Sequence, residues 1–220
     1  MKTISSVVEN YIKSKPFLLN ALAQGIINLT SLARVMTEEL ESELGKDVKQ
    51  GAVIMALKRL SEDLSFKVNH KVTKVLRGIG EITVRSSLND YTFLVSDTIF
   101  QRQAELISEI NQHPDAFFTS SRGVNETNIV ISESLCGLVE KHFKNERLTQ
   151  KLENLSSITV KLPKENTVTP GIYYFIFQRL AWEGIVIYEV ISTSNEFTVL
   201  VDEEVVDKAF KIIKDLKLTK

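Results

Sequence analysis

The stretch "ISTSNEFTVLVDEE" (residues 191–204) has a looser copy earlier in the chain, "SSRGVNETNIVISE" (residues 120–133). The Asn-Glu pairs set the register, with Asn125-Glu126 lying 70 positions before Asn195-Glu196. Each pair opens a strand-like apolar run that ends in an acidic or hydroxyl residue and leads into a helical segment. Self-similarity at a fixed period marks a duplicated supersecondary unit.

The second copy is the clearer one. "SSITVKL" (156–162) alternates and is rich in β-branched residues, which reads as a strand. After the loop "PKENTVT", Pro170-Gly171 opens a helix; Pro suits that position because its missing N–H would have no partner there anyway. "PGIYYFIFQRLAWEG" (170–184) then runs helical to a C-capping Gly184. "IVIYEVIS" and "EFTVLV" are two further strands joined by "STSN". Asp202 caps the last helix, whose positive first turn holds Glu203 and Glu204. Its apolar face is Val205, Val206, Ala209, Phe210, Ile213 and Leu216. Strand, helix, strand, strand, helix is the ferredoxin-like order, without a last strand before "KLTK". Residues 81–150 repeat it: a strand in "EITVRSSLNDYTFLVS", a helix in "TIFQRQAELISEINQ", strands in "DAFFTSS" and "TNIVIS", and a helix in "ESLCGLVEKHF".

On these motifs the chain resembles the ACT domains at the C-terminal end of aspartokinases. The resemblance covers about residues 81–220 and is strongest for the Pro-Gly helix start, the Gly-Ile turn, "ISTS" and "VDEE". It implies tandem modules that pair side by side, dimerise and bind an amino-acid effector beside the loop into the Pro-Gly helix and the strand that follows. The implied ligand-binding residues are Thr169, Gly171, Ile172, Val186, Asn195 and Glu196, with Asn125 and Glu126 in the first module. Two positions depart from the family: Val186 stands where an Asn is usual, and Thr169 where an acidic residue is. Asn125, Glu126, Asn195 and Glu196 also fit a purely structural role, because Asn is a favoured turn former. The backbone of Gly171 and Ile172 offers free N–H donors at a helix start. The apolar residues of the Pro-Gly helix exceed what one face can bury, so self-association is expected.

The first eighty residues resemble no amino-acid kinase, and no P-loop is present; "RGIGE" (77–81) reads as a turn. They hold 12 Lys+Arg and 8 Asp+Glu, a net +4. Helices are expected in "SVVENYIKS", "KPFLLNALAQG", "NLTSLARVMTEELESELG" and "DVKQGAVIMALKRLSEDL", the last capped by Asp47. The alternation in "FKVNHKVTKVL" (66–76) then suggests a strand pair. Helix, turn, helix and basic ribbon resemble a winged helix. That resemblance implies DNA contact through Lys49, Gln50, Lys58 and Arg59 on the recognition helix, with Lys71 and Lys74 among the wing lysines. Against it stand the four carboxylates of "EELESEL" (38–44), and charged helix faces are often simply solvated.

The remaining composition is that of an ordinary globular chain: 220 residues, 43% hydrophobic, 25% charged, net charge −1. The single Cys136 excludes an internal disulfide and fits a reducing, cytoplasmic setting. No signal-peptide pattern or membrane-length apolar run appears. His70, His113 and His142 are scattered, so no metal or other cofactor is expected, and no nucleophile–base pair can be argued from spacing. The fold class expected is therefore α+β: a helical, winged-helix-like domain (1–80) followed by two ferredoxin-like βαββαβ ACT modules (81–150 and 151–220). The function expected is non-catalytic sensing of an amino acid or similar small molecule, coupled to transcription. The alternative is a stand-alone regulatory or assembly subunit of an amino-acid-metabolism enzyme such as an aspartokinase. In either case a homodimer or higher oligomer is expected.

Overall fold

The computed structural model describes residues 2–218, with the side chains of residues 16, 20 and 65–71 outside the description. The chain divides into two compact units, residues 1–74 and 75–220.

The first unit is helical: α1 (Ile4–Lys13), α2 (Pro16–Ala23), α3 (Leu29–Leu44) and α4 (Gln50–Arg77). Thr3 and Ser6 form a capping box on α1, each side-chain oxygen accepting from the other's backbone N–H at 3.1 and 3.0 Å. Gly45 ends α3 at φ 65°, the left-handed geometry a C-cap favours. The core is made of apolar stripes at helical spacing, among them Val8 and Ile12 on α1, Met36 and Leu40 on α3, and Val53 and Leu57 on α4, all fully buried.

The strand pair expected for a wing is not formed, and the winged-helix reading gains no support. Residues 66–76 are not a strand pair; they continue α4, and no strand occurs among the described residues before Ile82. The period-2 alternation misled because a helical stripe also passes through it: Leu57, Leu60, Leu64, Val68, Val72 and Val75 step by three or four. No Gly or Pro interrupts the run between Gly51 and Gly78. Asp47 is not the cap either, since α4 begins at Gln50 and the Lys49 carbonyl accepts the first bonds, from Ala52 (2.8 Å) and Val53 (3.4 Å).

After the end of α4, the described residues of the second unit form six strands and four α-helices: β1 (Ile82–Leu94), α5 (Ile99–Ile110), β2 (Phe118–Arg122), β3 (Glu126–Ser132), α6 (Cys136–His142), β4 (Leu148–Lys161), α7 (Ile172–Trp182), β5 (Glu189–Ser192), β6 (Glu196–Asp202) and α8 (Val206–Asp215). The strands form one antiparallel sheet in the order β2-β3-β1-β4-β6-β5. This gives an α+β architecture consistent with two ACT-like modules side by side.

The two long central strands explain the strand missing from the second copy. β1 residues 90–93 pair with β4 residues 148–152, whereas β1 residues 82–85 pair with β4 residues 157–160. The first module is thus complete as β4(start)-β1(end)-β3-β2, the ferredoxin-like order. The second completes the same order with the beginning of β1 in its fourth place. Both strands break register at equivalent points, next to Ser87 and Asn154, each at φ 56°. Leu88 and Leu155 follow those residues and face each other across β1·β4. A local pseudo-twofold therefore passes between them.

On one face of the sheet, Tyr91, Phe93, Ile129 and Ile131 pack with α5 and α6 in a single cluster. On the other, Leu88, Val130, Leu155 and Leu200 are at most 1% exposed although no helix belongs to their cluster; Phe117 and Ile191 pack against it. Phe117 precedes edge strand β2 and Ile191 lies on edge strand β5. The curled sheet covers its own inner face, with register shifts along β1·β4 between Arg85 and Leu88, Leu88 and Asp90, and Thr92 and Phe93. The middles of β3 (Ile129, Val130, Ile131) and β6 (Val199, Leu200, Val201) are consequently buried on both sides and are apolar without a break.

Candidate ligand site at the start of the Pro-Gly helix

In each module the loop from the first strand into the first helix lies against the turn that holds the Asn-Glu pair. The hydrogen bonds repeat position by position. Val95 N–H donates to the Asn125 carbonyl (2.8 Å), and Leu162 N–H donates to the Asn195 carbonyl (2.7 Å). Gly123 N–H donates to the Glu126 carbonyl (2.8 Å), and Thr193 N–H to that of Glu196 (2.9 Å). The backbone of Asn125 and Asn195 therefore has a structural duty, tying a turn to a strand end.

The two helix starts are finished differently. In the first module the loop is short, and Glu146 reaches into it: its carboxylate accepts from Ser96 Oγ and Thr98 Oγ1, both at 2.6 Å. Thr98 precedes α5, so this carboxylate lies beside that helix start, held by hydroxyls; α5 itself has no side-chain cap. In the second module the loop is longer and contains a 3-10 turn, Lys164–Val168. Gly171 begins α7 at φ 95°, a left-handed backbone that a side chain would strain, and no side chain caps the helix. Thr169 turns its Oγ1 to the Glu165 carbonyl instead (2.8 Å). The first N–H groups of α7 have no intrahelical partners.

Asn166, which the sequence reading passed over, joins the loop to the turn. Its Nδ2 donates to Tyr173 Oη (3.5 Å) and to the Ser194 carbonyl (3.4 Å), while its Oδ1 is buried with no partner. Tyr173 Oη also meets Ser192 Oγ at 2.8 Å. The site thus contains Asn166, Thr169, Gly171, Ile172, Tyr173 and the 192–196 turn. Chemically it offers unfilled N–H donors and an unfilled, buried acceptor. The signal for Asn166 was a lone Asn in a polar loop, which only the tertiary contact to Ser194 distinguishes.

The other expected positions lie apart. Val186 follows the far end of α7, whose 11 residues span about 16 Å, and is 62% exposed. Asn125 and Glu126 belong to the first module's turn, where Glu126 is exposed. Lys49, Gln50, Lys58, Arg59 and Lys74 are exposed along α4, and Gln50 Nε2 donates to the Thr30 carbonyl at 3.3 Å. The side chain of Lys71 lies outside the described residues. No group of three or more His, Cys, Asp and Glu side chains able to hold a metal ion occurs among the described residues. No described helix is long and apolar enough to cross a membrane.

Two further polar features are structural in setting. His142 links the helices of the first module, its Nε2 2.9 Å from Glu109 and its Nδ1 3.4 Å from Glu105. The Lys141 ammonium holds the Glu109 carboxyl below its ordinary range, and hydrogen bonding from Arg102 does the same for Glu105. On the inner face, burial pushes the Asp90 carboxyl up to about 6, with the Glu189 carboxylate of the other module adding to the effect and a hydrogen bond from Asn128 opposing it.

The fold defines an ACT-like tandem, and known structures share it. Aspartate kinase from Clostridium acetobutylicum matches 63% of this chain at 17% identity and a TM-score of 0.52. E. coli aspartokinase III, in complex with aspartate and ADP, matches 63% at 12% identity and a TM-score of 0.50. The regulatory subunit of aspartate kinase from Thermus thermophilus matches 63% of this chain and 97% of its own at 8% identity and a TM-score of 0.49. The matches span only about a third of the two kinases, 34% and 33% of their chains. No protein-family profile matches the sequence, and no curated protein does. At these identities the likeness establishes the fold of the matched region.

Proposed function

We propose that this chain is a non-catalytic regulatory protein that senses an α-amino acid at the start of α7. The observation that supports this most is the contrast between the two helix starts. Neither helix has a side-chain cap, but beside the first Glu146 accepts from the Ser96 and Thr98 hydroxyls, whereas no side-chain carboxylate is hydrogen-bonded beside the second among the described residues. A ligand carboxylate there would take the free N–H groups of Gly171 and Ile172. Its ammonium would meet the unpartnered Oδ1 of Asn166, an arrangement that suits a zwitterion. Thr169, Tyr173 and Glu196 surround these groups, and Ser192 and Ser194 complete the wall.

Because the two modules share β1 and β4, a ligand that fixes the α7 loop bears on one sheet rather than on an isolated module. The regulatory effect is a population shift, requiring different ligand affinities in two arrangements of the protein. The outlet for that shift is self-association or docking on a separate enzyme through the β5 edge, where Trp182 (61%), Val186 (62%) and Val190 (40%) are exposed.

The test is calorimetric titration of the full chain with the twenty amino acids, repeated on Asn166→Leu and Gly171→Ala. Saturable binding of one amino acid, weakened roughly tenfold or more by Asn166→Leu, supports the site. Failure of every amino acid to bind, or binding indifferent to both substitutions, refutes it.

A further inference from the structure

A second recess lies in the first module, away from α7. It is walled by Tyr91 and Phe93 of β1, Val139 and Phe143 along α6, and Leu148 at the start of β4, and encloses about 240 Å³. Glu140, Lys144 and Glu146 stand around it. A dry cavity of about 150 Å³ already accepts benzene, so this one has room for a ring with a short chain.

The polar groups of the recess are unequally satisfied. Glu146 is engaged by Ser96 and Thr98. Glu140 lies 3.6 Å from Lys151. Lys144, by contrast, has no carboxylate within ion-pair distance among the described residues. Tyr91 is 2% exposed, and its hydroxyl lies against Cys136 and Asn89, outside the lining of the recess. The recess therefore combines an apolar body and one free cation.

We propose that this recess between α6, β1 and β4 binds a small aromatic carboxylic acid, its ring among Tyr91, Phe93, Phe143 and Leu148 and its carboxylate on Lys144. The site is distinct from the α7 site and does not depend on it: its ligand needs no ammonium group, and its residues all belong to the first module.

The test uses the full chain, labelled with 15N, and titrates it with 3-phenylpropionate, 3-(4-hydroxyphenyl)propionate and the neutral 3-phenylpropanamide. The expected result is saturable binding of both acids, centred on the amides of Val139 and Phe143. The amide and the Lys144→Ala variant should each weaken binding about fivefold, the worth of one exposed charge pair. Leu148→Trp, at a position 45% exposed and so tolerant of a larger side chain, should fill the recess and abolish binding while the amide spectrum remains that of a folded protein. No saturable binding at millimolar acid, or binding untouched by both Leu148→Trp and Lys144→Ala, overturns the proposal. A chain that binds these acids but no amino acid keeps this site and loses the α7 reading; the converse does the opposite.

Discussion

The two modules of the second unit repeat one topology and differ where a ligand would meet them. Their Asn-Glu turns hold the preceding strand ends through matching backbone bonds, and their bulges fall at matching points of β1 and β4. Beside the first helix start Glu146 ties the loop through the Ser96 and Thr98 hydroxyls; the second has an αL glycine and a longer loop, and neither helix has a side-chain cap. Duplication preserved the backbone framework because every strand depends on it for hydrogen bonding. The loops are free to diverge because they run over the surface.

The most damaging way to break the comparison is through the core the modules share. Ile129→Ala, on the fully buried β3, is expected to cost about 3 kcal/mol. Since β1 and β4 serve both modules, urea unfolding followed by circular dichroism should still show one transition for residues 75–218. Separate loss of one module would show them to be independent.

The inner face gives the next effect, through pH. Asp90 has its folded-state value raised to about 6, so the folded protein holds that proton more tightly than the unfolded chain. Its contribution to stability is therefore present at low pH and lost as pH rises through about 6. Asp90→Asn keeps an acceptor for Asn128 and should stabilise the protein at pH 7.5 by about 1–2 kcal/mol, allowing for solvent screening. It should also flatten the stability profile between about pH 4 and 6; an unchanged profile would show that Asp90 titrates normally.

Glu146→Gly tests the contrast between the helix starts directly. It should cost about 1–2 kcal/mol by leaving Ser96 and Thr98 without their carboxylate. Added acetate should recover part of that loss in the variant and not in the unaltered chain, as measured by thermal unfolding. Acetate acting equally on both would sever the analogy between Glu146 and a ligand.

The smallest expected effect is at the bulges. Ser87 and Asn154 share φ 56°, but Asn tolerates the left-handed region better than Ser. Ser87→Gly should add about 0.5–1 kcal/mol, whereas Asn154→Ala should remove about 1 kcal/mol, read from denaturation midpoints. Equal responses at the two sites would mean the bulges are not equivalent in energy.

Much of the second unit was legible in the sequence. Two Asn-Glu pairs, a Pro-Gly helix start and the spacing of Val206, Ala209 and Ile213 gave its strands, helices and duplication, because local propensity and the hydrophobic period agree there. Asp202 as a cap is equally local, its Oδ1 accepting from Glu204 N–H at 2.9 Å. The first unit shows the limit of such reading. Residues 66–76 fit both a period of two and a helical stripe, and their continuity with α4 settled the matter.

The sequence by itself thus determined the repeated elements and their order, since these follow from contacts within a few residues. Only the tertiary structure decided that β1 supplies the fourth strand of both modules, a pairing of residues some seventy positions apart that leaves no local periodicity. It also decided that Glu146 lies beside one helix start, because Glu146 meets the Thr98 hydroxyl across 48 positions. Asn166 became part of the candidate site in the same way, through Ser194, 28 positions on. Hydrogen bonds made across such distances depend on how the sheet curls, and no short stretch of sequence encodes that curl.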